Sequence, residues 1–240
     1  EDWSRMIESG EPVDVIYLDL AKAFNTVPPR RLLRKVEAHG IGGNLLKWIG
    51  AFLDGRQQRV IVGSSRSGWV HVPSGVPQGS VLAPLLFALY VNDLPNSIQC
   101  SVKIFADDSK LYRPVPALPD ALALQTDLNA ANRWADRWQL SFNPAKCQVL
   151  HLGRRNPHHV YTMGGSSLDE TSVERDLGVL MDGDLKFRKQ AAAAVGKASQ
   201  VLAVIRRSFG LLDRTTVPLL FKTLVRPHLE YGNLVWGPFN

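Results

Sequence analysis

The chain has little cysteine and no long apolar stretch, and both absences limit the classes of protein to which it can belong. Cys100 and Cys147 are its only cysteines in 240 residues, too few for a disulfide framework or a cysteine-based zinc site. No apolar run approaches the roughly 18 residues of a membrane-spanning helix. The first residues also lack the basic-then-apolar pattern of a secretion signal. These absences predict an intracellular protein, in the cytoplasm or the nucleus, that is neither secreted nor bound in a membrane.

Charge is unevenly distributed along the chain. Residues 30–66 hold eight Lys or Arg and two acids, a net charge of +6, and residues 186–226 hold nine and one, a net charge of +8. The remaining residues carry −8, so the whole chain carries +6. Segregated positive charge is typical of proteins that bind a polyanion such as nucleic acid. Two solvated helix faces explain the same pattern about as well.

Hydrophobic periodicity and turn residues predict a mixed fold of helices and strands. The predicted helices are 30–38, 43–53, 81–91, 118–138, 186–208 and one around 214–225. The predicted strands are 13–18, 57–62, 69–72, 101–105, 109–112 and 147–152. The polar, turn-rich stretch from residue 153 to 165 favours a domain boundary near residue 155.

Two acidic sites lie far apart in the sequence, each at the end of a predicted strand. Asp19 ends one strand, and Asp107-Asp108 forms the tip of a predicted hairpin. Aspartate is a common turn and cap residue, which is the simpler explanation for each site alone. We expect residues 102–106 before the tip to be buried, and acids beside a buried strand are costly unless they are paired or bind metal. Three clustered carboxylates are suitable ligands for Mg²⁺.

Other segments have the chemistry of a phosphate- or nucleotide-binding site. The loop 74–80 joins a strand to a helix, where free backbone N–H groups favour phosphate. Its Gln78 has hydrogen-bond donors and an acceptor for a base or sugar, and its glycines permit close approach of a ligand to the backbone. Phe24 is either a core residue or a wall beside a bound sugar. Lys146 is either a solvated lysine or a cation near a pyrophosphate.

Five motifs, in this order, resemble those of the reverse transcriptases of non-LTR (LINE-type) retrotransposons, and the nearest group is jockey-like or chicken-repeat-like. The motifs are YLDLAKAFNTV from residue 17, SGVPQGSVLAP from residue 74, FADD from residue 105, NPAKC from residue 143 and RDLGV from residue 175. Group II intron maturases and telomerase-like enzymes share the chemistry, but the residues around Asp19 and Gln78 fit the LINE group better.

The resemblance implies an RNA-directed DNA polymerase that transfers a dNTP to a primer 3′-hydroxyl, with pyrophosphate as the leaving group. Asp19, Asp107 and Asp108 would then be the catalytic and metal-binding acids. Two Mg²⁺ ions, or Mn²⁺, would be the cofactors, and the Leu20 carbonyl would assist. Lys146 would lie near the leaving group as a possible acid.

The same resemblance implies roles for residues that contact the substrates. Phe24 would exclude a ribose 2′-hydroxyl, and Gln78 and Gly79 would border the new base pair. The helix 186–208 would bind the duplex backbone through Lys189, Lys197, Arg206 and Arg207. The partners would be an RNA template, an RNA–DNA or DNA primer duplex and dNTP.

The implied fold is α+β: a right-hand polymerase palm, with an antiparallel sheet packed on helices, followed by a mostly helical thumb. We expect the palm at residues 1–155, with a helical insertion at 30–54, and the thumb at 156–240. The family's fingers would lie upstream of residue 1, so we expect a fragment of a retrotransposon polyprotein with weak or no activity alone. Asn25 replaces the family's usual Asp, which would weaken local order only. The alternative is an inactive relic that binds nucleic acid non-specifically.

Overall fold

A computed structural model describes residues 2–210 and 213–237 of the chain. Its α-helices are α1 (Asp2–Glu8), α2 (Ala23–Thr26), α3 (Pro29–Ala38), α4 (Gly43–Leu53), α5 (Leu82–Val91), α6 (Leu118–Trp138), α7 (Arg188–Ser208), α8 (Thr216–Leu220), α9 (Arg226–Glu230) and α10 (Asn233–Trp236). A 3₁₀ turn spans Leu94–Ser97, and a π-helical turn, Phe221–Val225, joins α8 to α9.

The strands are β1 (Val13–Asp19), β2 (Gln57–Gln58), β3 (Ile61–Val62), β4 (Ser65–Arg66), β5 (Val70–His71), β6 (Ser101–Phe105), β7 (Asp108–Pro114), β8 (Gln148–Leu152), β9 (Thr162–Met163), β10 (Ser166–Ser167), β11 (Asp169–Thr171), β12 (Val173–Asp176) and β13 (Val179–Asp182). Five of them form the main sheet, in the order β11-β8-β1-β7-β6. β1 is its central strand and runs antiparallel to both neighbours, whereas β11 runs parallel to β8.

Side chains alternate across β1, so that its two faces enter different clusters. Val13 and Val15 pack with Leu150 and Tyr112 on one face. Ile16 and Leu18 enter the main core on the other face, which α3, α5 and α6 cover. A strand buried on both faces reads as a nearly continuous apolar run, as the sequence of β1 does. The predicted antiparallel sheet packed on helices is confirmed.

A buried lysine ties the three covering helices together. Lys35 of α3 is 5% exposed. Its Nζ donates hydrogen bonds to the Tyr90 carbonyl of α5 and to Asp93, each at 2.5 Å, and lies 3.6 Å from the centre of the Trp138 ring of α6. Trp134 Nε1 also donates to Asp93 at 3.0 Å. The buried charge is therefore paired and satisfied, as a stable core requires.

Two expectations about the strands need correction. Residues 102–106 are not buried, since Phe105 is 64% exposed and Ala106 is exposed. The reason is that β6 is the edge strand of the sheet and only Val102 and Ile104, on one of its faces, pack against the core. The predicted strands 57–62 and 69–72 are broken into short pairs, β2 with β5 and β3 with β4.

The second half of the chain begins by extending the main sheet. Tyr161, Met163 and Leu168 belong to the main core, and β11 hydrogen-bonds to β8. The basic helix α7 follows the β12–β13 hairpin and buries Ala198 and Ile205 against Val225. The division near residue 155 stays a prediction. None of the helices within residues 2–210 and 213–237 combines the length and apolar composition needed to cross a bilayer.

The loop 74–80 is fixed to the segment that follows β1. The Gly75 N–H donates to the Val27 carbonyl at 2.7 Å, and the Val76 N–H donates to the Phe24 carbonyl at 2.8 Å. Gly75 has φ +85°, and a Cβ on it would lie 2.7 Å from the Phe24 carbonyl oxygen and 2.8 Å from Asn25 backbone atoms. Only glycine fits this contact, because both the backbone conformation and the space exclude a side chain.

We predict that Gly75→Ala lowers the free energy of unfolding by about 3 kcal/mol, because backbone strain and a clash with main-chain atoms add together. Gly10→Ala is the matched control. Gly10 has nearly the same φ, +84°, but open space around it, so strain alone should cost about 1 kcal/mol. Urea denaturation followed by circular dichroism measures both values. Equal losses would contradict the close contact at Gly75.

Candidate active site

The register of the main sheet brings the two predicted acidic sites together. Asp19 of β1 lies directly opposite Asp108 of β7. Asp107 precedes Asp108 in the two-residue turn between β6 and β7. Ala106, the other turn residue, has φ +54°, an uncommon conformation for a residue with a side chain. The turn therefore carries local strain beside the acids, as residues at functional sites often do.

The surroundings of Asp108 disfavour its charged form. Partial burial, followed by the charges of Asp107, Asp176 and Asp19, raises the pKa of Asp108 above its usual range, and Lys110 opposes the shift. A carboxylate whose pKa is raised by burial and by neighbouring acids carries a charge that a bound cation would stabilise. The donor set, carboxylate oxygens only, suits a hard divalent cation.

Asp176 is a fourth acid at the site that sequence reasoning missed. It ends β12, forms an ion pair with Lys110, and accepts a hydrogen bond from the Tyr17 hydroxyl at 3.4 Å. Burial and the negative charges of Asp176 and Glu174 raise the pKa of Tyr17. The RDLGV motif contains Asp176, but its local sequence gave no sign that β12 would meet β1 and β7.

A cavity of about 270 Å³ opens at this end of the sheet. Of the predicted residues, Asp19, Asp108 and Lys146 line it, together with Lys110 and Asp176. Basic and acidic side chains therefore face one opening, which is what a site for a metal-bound polyphosphate requires.

The segment after α6 forms hydrogen bonds with the backbone of Asp19. The Asp19 N–H donates to Cys147 Sγ at 3.4 Å, and the Asp19 carbonyl accepts from the Asn143 N–H at 2.8 Å. Burial raises the pKa of the Cys147 thiol, so this cysteine is a packed, neutral neighbour. Lys146 Nζ lies 3.7 Å from Asp19 Oδ2, and its side chain is 66% exposed.

The remaining predicted substrate residues lie on adjoining segments. Leu20 is buried and forms a bridge with Phe142. The Phe24 ring stacks on Phe87, with centroids 4.5 Å apart, and its carbonyl accepts from the loop 74–80. Gln78 and Gly79 are exposed at the tip of that loop, just before α5.

The four predicted duplex-binding residues are exposed on α7: Lys189, Lys197, Arg206 and Arg207. At 1.5 Å of rise per residue, Lys189 and Arg206 lie about 26 Å apart along the helix axis. Their exposure leaves the side chains available to a phosphate backbone, and their role stays a prediction.

Comparison with known proteins identifies the family. Residues 8–191 match the family model described as reverse transcriptase (RNA-dependent DNA polymerase). The RNA-directed DNA polymerase from mobile element jockey of Drosophila funebris is 29% identical over 96% of this chain and 26% of its own length. The probable RNA-directed DNA polymerase from transposon X-element of Drosophila melanogaster is also 29% identical, over 96% of this chain and 26% of its own length.

Among solved structures, telomerase from Candida albicans with a telomeric RNA fragment aligns at a TM-score of 0.49 and 15% identity, over 95% of this chain and 42% of that one. This chain spans about a quarter of the length of the curated relatives it matches. The predicted resemblance to non-LTR retrotransposon polymerases is confirmed by those relatives. The chain belongs to the reverse transcriptase family.

Proposed function

We propose that this chain is the catalytic fragment of an RNA-directed DNA polymerase, which transfers a nucleotide from a dNTP to a primer 3′-hydroxyl. The observation that carries the proposal is the β1–β7 register, which places Asp19 opposite Asp108 with Asp107 in the adjoining turn. Acids gathered at one end of a sheet, beside a cavity with basic side chains, suit phosphoryl transfer.

Asp19, Asp107 and Asp108 would hold two divalent ions, with Mg²⁺ the expected metal and Mn²⁺ a substitute. The mutual repulsion at Asp108 and the oxygen-only donor set fit these ions. When bound, the ions would neutralise charge on the attacking and leaving oxygens. The Leu20 carbonyl follows directly after Asp19 and would assist.

The neighbouring residues would position the substrates. Lys146 projects next to Asp19, where its ammonium would attract the phosphates and supply a proton to the leaving group. Phe24, fixed by its stack on Phe87, would form the wall that excludes a 2′-hydroxyl. Gln78 and Gly79 would border the new base pair from the loop that is fixed to the Phe24 segment.

The partners would be an RNA template and an RNA–DNA or DNA primer duplex. The positive charge of α7 would hold the duplex through its phosphates, without reading sequence. The exposed side chains Lys189, Lys197, Arg206 and Arg207 carry this part of the proposal.

We predict that any extension of an oligo(dT) primer on poly(rA) by this chain alone with Mg²⁺ is weak, and that Asp107→Asn lowers its rate by roughly 100-fold or more. The substitution removes charge from the metal site with little change in shape. Asp136→Asn is the matched control, because Asp136 is exposed on α6 and should leave the rate unchanged.

Extension that survives Asp107→Asn would overturn the assigned acids. Absence of extension by the unsubstituted chain, with binding to an RNA–DNA duplex retained, would instead favour the alternative of a nucleic-acid-binding relic.

We predict that Asp108→Asn raises the melting temperature in a chelating buffer at pH 7, because it removes a carboxylate that its neighbours repel. Partial burial and the neighbouring acids raise the pKa of Asp108 in the folded chain, so its charge opposes folding above that raised pKa. The gain should shrink as the pH falls through the raised pKa and be absent below the usual carboxyl pKa. Mg²⁺ should then stabilise the unsubstituted chain more than the variant. A thermal melt with and without Mg²⁺ measures both effects, and a lower melting temperature for the variant in chelator would contradict the repulsion.

We predict that affinity for an RNA–DNA duplex falls steeply with salt and that Lys197→Ala makes the log–log slope shallower by about 0.7–0.9. Each lost phosphate contact removes about one released counterion. Arg5→Ala is the control, because Arg5 lies on α1 and pairs with Asp2. Fluorescence anisotropy across a salt series gives the slopes, and equal slopes for the Lys197 and Arg5 variants would remove α7 from the binding surface.

A further inference from the structure

A group of side chains of the types that bind metal ions lies at the opposite end of β1 from Asp19 and Asp108. His151 of β8, His158 of the following loop and Glu170 of β11 each present one ligand atom, and these atoms all lie within 4.8 Å of one another. The rings of His151 and His158 have centroids 4.6 Å apart. Asp14 lies five residues before Asp19, about 17 Å along an extended strand, and Asp14 is the β1 residue that pairs with His151.

The sheet register places these residues on one face. Asp14 and His151 are direct partners across β1 and β8, and Glu170 is the partner of Val149 across β8 and β11. Partners in register project to the same face, as do residues two apart in a strand. Asp14, His151 and Glu170 therefore share a face, and the main-sheet pairing alone brings them into line.

A buried carboxylate orients the His151 ring. Asp14 is fully buried, and its Oδ1 accepts from His151 Nδ1 at 2.6 Å and from Asn156 Nδ2 at 2.8 Å. Its Oδ2 accepts from the Tyr161 hydroxyl at 2.6 Å. With Nδ1–H donated to Asp14, Nε2 of His151 keeps the lone pair that a metal ion takes. A carboxylate behind a ligating histidine is the usual support of a metal site.

The loop is built to present His158 at this place. Asn156 is buried and donates to the Val13 and Leu152 carbonyls, each at 3.2 Å, while its Oδ1 accepts from the His158 N–H at 2.8 Å. His158 itself has φ +56°, a strained conformation that the Asn156 bonds maintain. Its Nδ1 lies 2.7 Å from Glu170 Oε1. The exposed His158–Glu170 pair alone contributes little stability. It therefore does not account for the hydrogen bonds that hold the strained backbone of His158 in place.

We propose that His151, His158 and Glu170 form a binding site for a divalent transition-metal ion, for which Zn²⁺ is the best match. Two imidazoles and one carboxylate form a known set of zinc ligands, with a fourth position open to water. Zinc bonds of about 2.0–2.2 Å hold neighbouring ligand atoms about 3.3 Å apart. His158 and Glu170 are exposed, so their side chains can close the remaining distance. The ion would fasten the loop 153–160 to the edge of the sheet.

The test is titration of Zn²⁺ into the tag-free, chelator-treated chain in excess Mg²⁺, followed by isothermal calorimetry. We expect one site, with affinity reduced at least tenfold in both His158→Ala and Glu170→Gln. His71→Ala is the control, because His71 is exposed on β5 and should leave the affinity unchanged. Co²⁺ should give the visible absorption of a tetrahedral site in the unsubstituted chain and lose it in both variants. Zn²⁺ should also slow trypsin cleavage after the exposed Arg154 and Arg155.

The outcomes separate this site from the polymerase centre. Asp107→Asn should keep full Zn²⁺ affinity, even if the chain proves inactive as a polymerase. Zn²⁺ binding that is lost in Asp107→Asn, or kept in both His158→Ala and Glu170→Gln, would overturn the proposal. Circular dichroism shows whether each variant is folded. The two substituted residues are exposed on separate segments, so if one variant misfolds, the other still tests the site.

Discussion

The pairing of β1 with β7 and β8 is the constraint on which the rest of the structure depends. β1 is buried on both faces, so a shift of one residue would move each of its side chains from one core to the other. The same register sets the positions of the polar residues: it places Asp19 opposite Asp108 at one end of the strand and Asp14 opposite His151 at the other. The burial that stabilises the fold therefore also determines which acids meet.

Gathering acids at the end of β1 works against stability. Partial burial, followed by the charges of Asp107, Asp176 and Asp19, raises the pKa of Asp108, and Lys110, which pairs with Asp176, opposes the shift only in part. The surrounding structure holds this arrangement because the strands are fixed by their cores and cannot relax to separate the charges. A cation bound there would offset that cost, which would couple the proposed metals energetically to the fold.

Local sequence patterns were enough to predict the helices α3 to α7, α4 and α6 with their bounds, and the strands β1, β6, β7 and β8, including the hairpin that carries Asp107 and Asp108, but not β9 to β13. They failed where the outcome depended on distant partners. The segment 102–106 is apolar enough to suggest burial, but its position at the sheet edge leaves Phe105 exposed. Asp176 was missed because it reaches Lys110 across 66 residues of chain, and a turn-rich segment carries no periodicity from which that pairing follows.

The two ends of β1 differ in ligand chemistry, and this difference argues for two separate ions. The end at Asp19 offers carboxylate oxygens, which favour hard ions such as Mg²⁺. The other end offers imidazole nitrogens beside a single carboxylate, which favour Zn²⁺ and its neighbours in the transition series. Because β11 supplies Glu170 to that end, the proposed site would give the sheet beyond β8 a role besides covering the core. An ion held there would stabilise the β8–β11 edge without touching the acids that carry the proposed polymerase chemistry.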